Sequence, residues 1–185
     1  TEMRKSGLNI MMSMKSDGKP VSFVEDCAVN LENLAEYTDG LTKIFKKYNV
    51  HGTWYAHASV GCLHVRPVLN MKINEDVKKM RMIAEEACVL VKKFGGSFSG
   101  EHGDGIVRSE FIEKMFDKKV NNIFRQAKDL FDPNRIFNPE KIIDAPKMDD
   151  RNLFRYSPAY SALDIKTGMD WSSWPGKSDG FQGAI

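Results

Sequence analysis

Four side chains able to bind a metal or move a proton fall in two tight clusters, His57 with His64 and Glu101 with His102. Of the four histidines in the chain only His51 stands apart from them. Each cluster lies where the chain reads as extended and then turning. Two imidazoles on one face can share a divalent cation or relay a proton near neutral pH, and a carboxylate beside an imidazole can serve either task. The plainer reading of each histidine is a half-buried ring bonded to backbone, and both readings stand at this point.

The elements that must hold these groups are legible from apolar spacing. Val21 to Val29 reads as a strand broken by Glu25 and Asp26. Asn30 is placed to cap a helix in which Leu31, Leu34, Tyr37, Leu41, Ile44, Phe45 and Tyr48 form one stripe. Asn49 and Gly52 release the chain into a strand from Thr53 to Ser59, Gly61 allows a reversal, and Leu63 to Met71 forms a third strand. A second helix starts at Asn74 or Asp76 and buries Val77, Met80, Ile83, Ala84, Ala87, Cys88, Val91 and Phe94. Gly95 and Gly96 stop it, and Gly96 to Gly100 suits a short fourth strand. The order strand, helix, strand, strand, helix, strand predicts an α+β, ferredoxin-like antiparallel sheet with both helices on one face. Ser109 is placed to cap a third helix that runs to Phe131 with a broad apolar surface, before Asp132-Pro133.

With Val60 and Gly61 at the centre of the hairpin, ladder symmetry sets Ser59 opposite Cys62, His57 opposite His64, and Tyr55 opposite Arg66. Paired residues share a face with Cβ atoms roughly 4.5 to 5.5 Å apart, a separation that suits two imidazoles on one metal. The other face takes Trp54, Ala56, Ala58, Leu63 and Val65, and suits packing under helices. Val60 fits poorly at the positive φ of a primed turn, so a longer loop of the same symmetry is expected.

Gly100-Glu101-His102-Gly103-Asp104-Gly105 resembles a phosphate cradle only in its glycines. No lysine follows, and Glu101 and Asp104 would repel an anion. The loop is better made for a cation or a base. One carboxylate with two imidazoles is a ligand set for zinc or another first-row ion, and His102, on the other side of an extended backbone, could act as general base.

Composition agrees with an ordinary domain: 185 residues, 42% hydrophobic, 28% charged, net charge +2. Acidic and basic residues alternate, which speaks against nucleic acid as a partner. Cys27, Cys62 and Cys88 are odd in number and far apart, as in a reducing compartment, and no apolar run is long enough for a bilayer. The chain opens without methionine or signal core, so a piece of a longer protein is expected. After Ile143 prolines, glycines and serines dominate around Trp171, Trp174 and Phe181, the composition of an extended connector that docks by its aromatics.

Three motifs in order carry a resemblance: Ala56-His57 through Cys62-Leu63-His64-Val65-Arg66-Pro67, Gly95-Gly96 through Gly100-Glu101-His102-Gly103-Asp104-Gly105, and Phe131-Asp132-Pro133 through Phe137-Asn138-Pro139-Glu140-Lys141. Together they resemble the C-terminal part of FAD-linked oxidases of the vanillyl-alcohol oxidase type, a group with D-lactate, glycolate and D-2-hydroxyglutarate dehydrogenases. The likeness covers residues 1–145, a cap domain for substrate and metal. Residues 146–185, with Met169-Asp170-Trp171 and Gly180-Phe181-Gln182-Gly183-Ala184, resemble the connector of long bacterial members that carry a following iron-sulfur domain.

The resemblance implies a part of a flavin-dependent enzyme that oxidises a D-2-hydroxy acid to the 2-oxo acid, itself without turnover when separated from the flavin-binding domain. It implies His57, His64 and Glu101 as metal ligands and His102 as the base that takes the substrate hydroxyl proton. Arg4 and Arg66 would meet the substrate carboxylate, and Asn138 would lie near the flavin ring. The implied cofactors are FAD, held mainly by an N-terminal domain, a divalent metal of the zinc or manganese kind, and 4Fe-4S clusters in a C-terminal domain. The implied setting is the cytoplasm, with room for a place at the inner membrane, a quinone acceptor and a homo-oligomer. Where the family often has Gly-Asn before Leu-His this chain has Gly61-Cys62, so no polar substrate contact is carried over there. The other reading is a non-catalytic ferredoxin-like module, for RNA or for subunit docking through Trp171 and Trp174. The central strands carry Tyr55 beside two histidines rather than the aromatic platform RNA needs.

Overall fold

The structure, a computed structural model, describes residues 6–7, 9–11, 13–14, 16–160 and 168–170. Arg4, Trp171, Trp174 and Phe181 lie outside them. The sheet is laid around β4 (Cys62–Leu69), whose alternation of apolar and polar residues gives it two unlike faces. β3 (Gly52–His57) runs antiparallel along one side of it. β1 (Lys19–Pro20) and β2 (Cys27–Ala28) share the other side, also antiparallel, and a bridge from Ala28 to Ser97 adds the outermost position. The resulting order, residue 97, β2, β4, β3, is the ferredoxin-like order expected.

α1 (Leu34–Lys47) and α2 (Asn74–Lys93) cover one face. α1 buries Tyr37, Leu41, Ile44 and Phe45, and α2 buries Val77, Met80, Ile83, Ala84, Ala87, Cys88 and Val91. These join Leu63 and Val65 of β4 in one apolar core, so the odd-numbered residues of β4 point to the helices and the even-numbered ones away. Cys88 is core packing.

Several boundaries differ from expectation. The strand expected over Val21–Val29 is interrupted, because Phe23, Val24, Glu25 and Asp26 turn inward and are buried, with Asp26 at φ +82°. Asn30 makes no side-chain cap; a 3-10 turn at Leu31–Asn33 intervenes, Asn33 flanks α1, and Leu31 is exposed. Trp54, Ala56 and Ala58 are exposed rather than packed under helices, since β3 is the edge strand; the Phe45 ring of α1 meets Trp54, 5.5 Å between centroids. The Gly96–Gly100 strand is reduced to the Ser97 bridge.

The third helix, expected as one piece from Ser109, is broken: a short α3 (Gly105–Arg108) precedes it, a 3-10 turn takes Ser109–Phe111, and α4 (Ile112–Met115) and α5 (Lys118–Phe131) follow. Asp117 breaks it by accepting the Val120 N–H at 2.8 Å as an N-cap. α5 buries none of its residues, and Leu130 and Phe131 are among the most exposed apolar side chains described. Beyond it, residues 146–160 turn back along the domain. Met148 is buried, Asp149 pairs with Arg81 at 3.2 Å, and Arg151 Nη1 donates to the Met71 carbonyl at 3.1 Å.

Candidate metal centre

The polar face of the β3–β4 ladder carries the site. The observed register pairs Tyr55 with His64, His57 with Cys62 and Thr53 with Arg66. It differs from the expected pairing of His57 with His64 because the loop is not symmetric about Val60 and Gly61. Ala58–Val60 forms a 3-10 turn closed by Gly61 at φ +68°, and this moves the ladder by two positions. A two-residue shift preserves the face. His57 and His64 are therefore diagonal neighbours on one side of the sheet, with ring centroids 5.0 Å apart. Tyr55 lies against His64 at 5.0 Å.

The glycine loop is pinned above this face by Asp26. One carboxylate oxygen of Asp26 accepts the Glu101 N–H at 2.9 Å, and the other accepts the His102 N–H at 2.8 Å and the Ser99 hydroxyl at 2.9 Å. Arg108, buried, donates to the carbonyls of Glu25 and Gly103 and stands 3.6 Å from Asp26. Burial pushes the Asp26 carboxyl up, but the N–H groups of His102 and Glu101, the Ser99 hydroxyl and the Arg108 charge outweigh it and leave it below its ordinary value. The Asp26 side chain of the inward turn and the Arg108 side chain of α3 thus set the path of the loop.

The loop delivers Glu101 to the histidines. Its Oε1 lies 3.0 Å from His64 Nε2, 3.2 Å from His102 Nε2 and 3.3 Å from His57 Nε2. The His102 ring stacks on His64, 4.9 Å between centroids and 18° between planes. His64 is fully buried, yet among the described residues neither of its ring nitrogens has a hydrogen-bond partner, since the close approach of Nε2 to Glu101 lacks the direction of a hydrogen bond. Burial also pushes its imidazole below the ordinary value, against the pull of Glu101. A buried polar nitrogen left unmet is costly, and three imidazole nitrogens facing one carboxylate oxygen call for a shared positive charge. A divalent cation among nitrogen and carboxylate donors meets that need, and the donor set is of the zinc type.

Asp26, His64, Glu101 and His102 also place ligand atoms within 4.8 Å of one another. Both Asp26 oxygens also accept from the loop backbone, so Asp26 supports the loop that carries Glu101 and His102. Cys62 is buried beside it, Sγ 3.6 Å from Asp26 Oδ1, and burial followed by the Asp26 charge pushes the thiol up to about 11. It stays a thiol at neutral pH. Asp104 is raised by burial.

The structure thus brings His57, His64, Glu101 and His102 together. Arg66 is on the same face, with Nε on Glu25 Oε2 at 2.5 Å and its guanidinium 5.9 Å from the Tyr55 ring. Asn138, at φ +44°, is exposed and lines a separate open groove of about 470 Å³ with Gly105, Phe124 and Lys128. Sequence reasoning did not find Glu25, Asp26 or Arg108 as supports. The available signal was two adjacent carboxylates inside an otherwise apolar run.

The comparisons with known proteins give the family. A family model described as FAD linked oxidases, C-terminal domain, matches residues 1–142. The chain is 40% identical to a D-2-hydroxyglutarate dehydrogenase of Haemophilus influenzae over 76% of its own length and 14% of that protein. It is 33% identical to a D-2-hydroxyglutarate dehydrogenase of Escherichia coli, over 79% of this chain and 15% of that protein. A D-lactate dehydrogenase of Archaeoglobus fulgidus is 31% identical over 68% of this chain and 27% of its own length. The chain therefore spans only a small part of these relatives. No helix among the described residues is long and apolar enough to cross a membrane.

Proposed function

The chain belongs to the family of FAD linked oxidase C-terminal domains, and on that premise we propose that it is the substrate- and metal-binding part of a flavin-dependent D-2-hydroxy-acid dehydrogenase. The observation that carries the reading is the convergence of three imidazole nitrogens and Glu101 on one point, beneath an accessible surface. His57, His64 and Glu101 hold a divalent metal, zinc or manganese. His102 takes the proton of the substrate hydroxyl. When bound, the metal would supply Lewis acidity toward that hydroxyl and FAD would supply the hydride acceptor.

The residues of this chain divide the remaining work. His64 is held by burial and by the rings of Tyr55 and His102, so it offers a fixed nitrogen, while His57 and Glu101 are half exposed and leave a way in for substrate. Arg66 meets the substrate carboxylate through its terminal amino groups, its Nε being engaged by Glu25. Arg4 is proposed as a second clamp and Asn138 as a neighbour of the flavin ring, both from the family resemblance alone. D-2-hydroxyglutarate and D-lactate are the substrates proposed, from the names of the relatives.

The open apolar side of α5, with Leu130 and Phe131, supports contact with a flavin-binding domain. Residues 1–145 would be the cap domain and 146–185 the connector toward an iron-sulfur domain with 4Fe-4S clusters, the first part of that connector lying along the cap. A quinone acceptor, a homo-oligomer and a cytoplasmic setting complete the proposal.

Zinc titration of the chain by calorimetry should show one site, lost in His57→Ala, His64→Ala and Glu101→Ala. Binding that is unchanged in these variants rejects the ligand set. With cobalt in place of zinc, D-2-hydroxyglutarate or D-lactate should alter the visible spectrum, and silence with both rejects the substrate class.

A further inference from the structure

Glu25 sits at the junction of the inward turn and the site, 7% exposed. Its carboxylate has two different neighbours: Oε2 accepts from Arg66 Nε at 2.5 Å, and Oε1 lies 3.4 Å from His102 Nδ1. Asp26 Oδ1 stands 4.0 Å from the same Nδ1. The backbone carbonyl of Glu25 takes Arg108, so the residue is held at both ends.

We propose that Glu25 is a positioning residue for His102: it fixes the imidazole tautomer so that the proton sits on Nδ1 and the lone pair on Nε2 faces the substrate hydroxyl. This rests on the base role given to His102 above. A neutral imidazole carries one proton on one of two nitrogens, and the hydrogen bond made by one nitrogen decides what the other can do. With the proton on Nε2, the Nδ1 lone pair would point at two buried carboxylates. With the proton on Nδ1, that edge turns the positive end of an N–H toward the Glu25 carboxylate 3.4 Å away, and Nε2, 3.2 Å from Glu101 Oε1, presents its lone pair where the ligands converge. The opposing carboxylate there is half exposed and shared among three rings, so the two edges of His102 are not equivalent. The arrangement is the carboxylate-imidazole pair that orients a base in other enzymes, with Arg66 holding the carboxylate from behind.

The test is a nitrogen-15 spectrum of the histidine rings in the whole metal-free chain, at a pH where they are neutral, with His102 assigned through His102→Gln. The unmutated chain should show His102 protonated on Nδ1; a proton on Nε2 overturns the proposal without any appeal to a variant. In Glu25→Gln the single acceptor oxygen goes to Arg66 and the amide NH₂ turns to Nδ1, so the tautomer should reverse to Nε2–H. An unreversed tautomer in a folded Glu25→Gln chain also overturns it. Zinc titration separates this from the underlying reading: with His102 assigned as base rather than ligand, Glu25→Gln should keep zinc affinity within about threefold, well short of the roughly tenfold or larger loss expected of a support to a ligand. A loss of that size would put His102 among the ligands and overturn its role as base, whereas absence of zinc binding in the unmutated chain would reject the metal site and leave the tautomer result standing.

Discussion

Cys27 and Cys62 flank the turn that carries Asp26, and both thiols are displaced upward, Cys27 to about 12 and Cys62 to about 11, in each case first by burial. Their ordinary value is 9.0, so the folded chain keeps these protons over a range in which the unfolded chain releases them. The unfolded state then binds fewer protons, and stability falls as pH rises. The contribution is complete below pH 9 and is lost as pH climbs through about 11 and 12. Thermal melts between pH 8 and 12 should show a steady decline, shallower in Cys62→Ser. A melting temperature that is flat across that window would mean the thiols are in reach of water, and the tight seating of β2 beside β4 would be wrong. Cys62 turns its Sγ to Asp26 Oδ1 at 3.6 Å, whereas burial pushes the His64 ring the other way, below its ordinary value.

The β3–β4 hairpin is the element that brings the histidines together, and its turn depends on Gly61. That residue sits at φ +68°, and a Cβ there would meet the Val29 carbonyl oxygen at 1.9 Å. Gly61→Ala should therefore cost the left-handed penalty of about 1 to 2 kcal/mol and, in addition, the displacement of Val29 from the Gly61 carbonyl its N–H now uses. Gly95→Ala, at φ +63° with nothing within 4 Å, should cost the penalty alone. Urea unfolding midpoints of the two variants give the comparison, and equal losses would show that the close approach is relieved without strain. The alternation of Tyr55, His57, His64 and Arg66 against Leu63 and Val65 made the polar face legible, because a period of two survives any even shift of register. The register itself was not, since Ala58 to Val60 carry no glycine or proline to announce a 3-10 turn. Helix α2 was read almost residue for residue from its stripe. The long helix after Ser109 was misread because apolar periodicity continues through Phe116 while Asp117, a cap, interrupts the backbone. From the residues alone Glu25 and Asp26 read as strand breakers, since nothing local tells a solvent carboxylate from one that, as Asp26 does, finds three donors in a loop 73 to 76 residues away.

At the scale of the molecule, the domain does not end where the apolar periodicity does. Residues 146–160 have the composition of a connector, yet they form a strap packed against the domain. Met148 is buried in the main core, its N–H donates to Glu110 Oε1 at 3.0 Å, and Arg81 bridges Glu110 and Asp149. Further on, Arg151 caps the carbonyls of Met71 and Lys72, just where β4 has ended and α2 is about to begin. Between strap and domain lies a cavity of about 190 Å³ whose walls include Met71, Met80, Met148 and Phe154. Removing the strap would expose those walls and leave Arg81 and Glu110 without their third partner. A chain cut after residue 145 should accordingly be less stable than one cut after residue 160 by more than the roughly 2 to 5 kcal/mol typical of a buried Met→Ala change, which Met148→Ala in the longer form would measure by itself. Zinc affinity should be similar in both, because the donors sit on the β3–β4 face and on a loop pinned by Asp26 and Arg108, none of which the strap touches in the contacts described above. If the shorter chain proved as stable as the longer one, residues 146–160 would be a passive tether. If it lost zinc together with stability, the centre would depend on global folding rather than on the local clamp of the glycine loop.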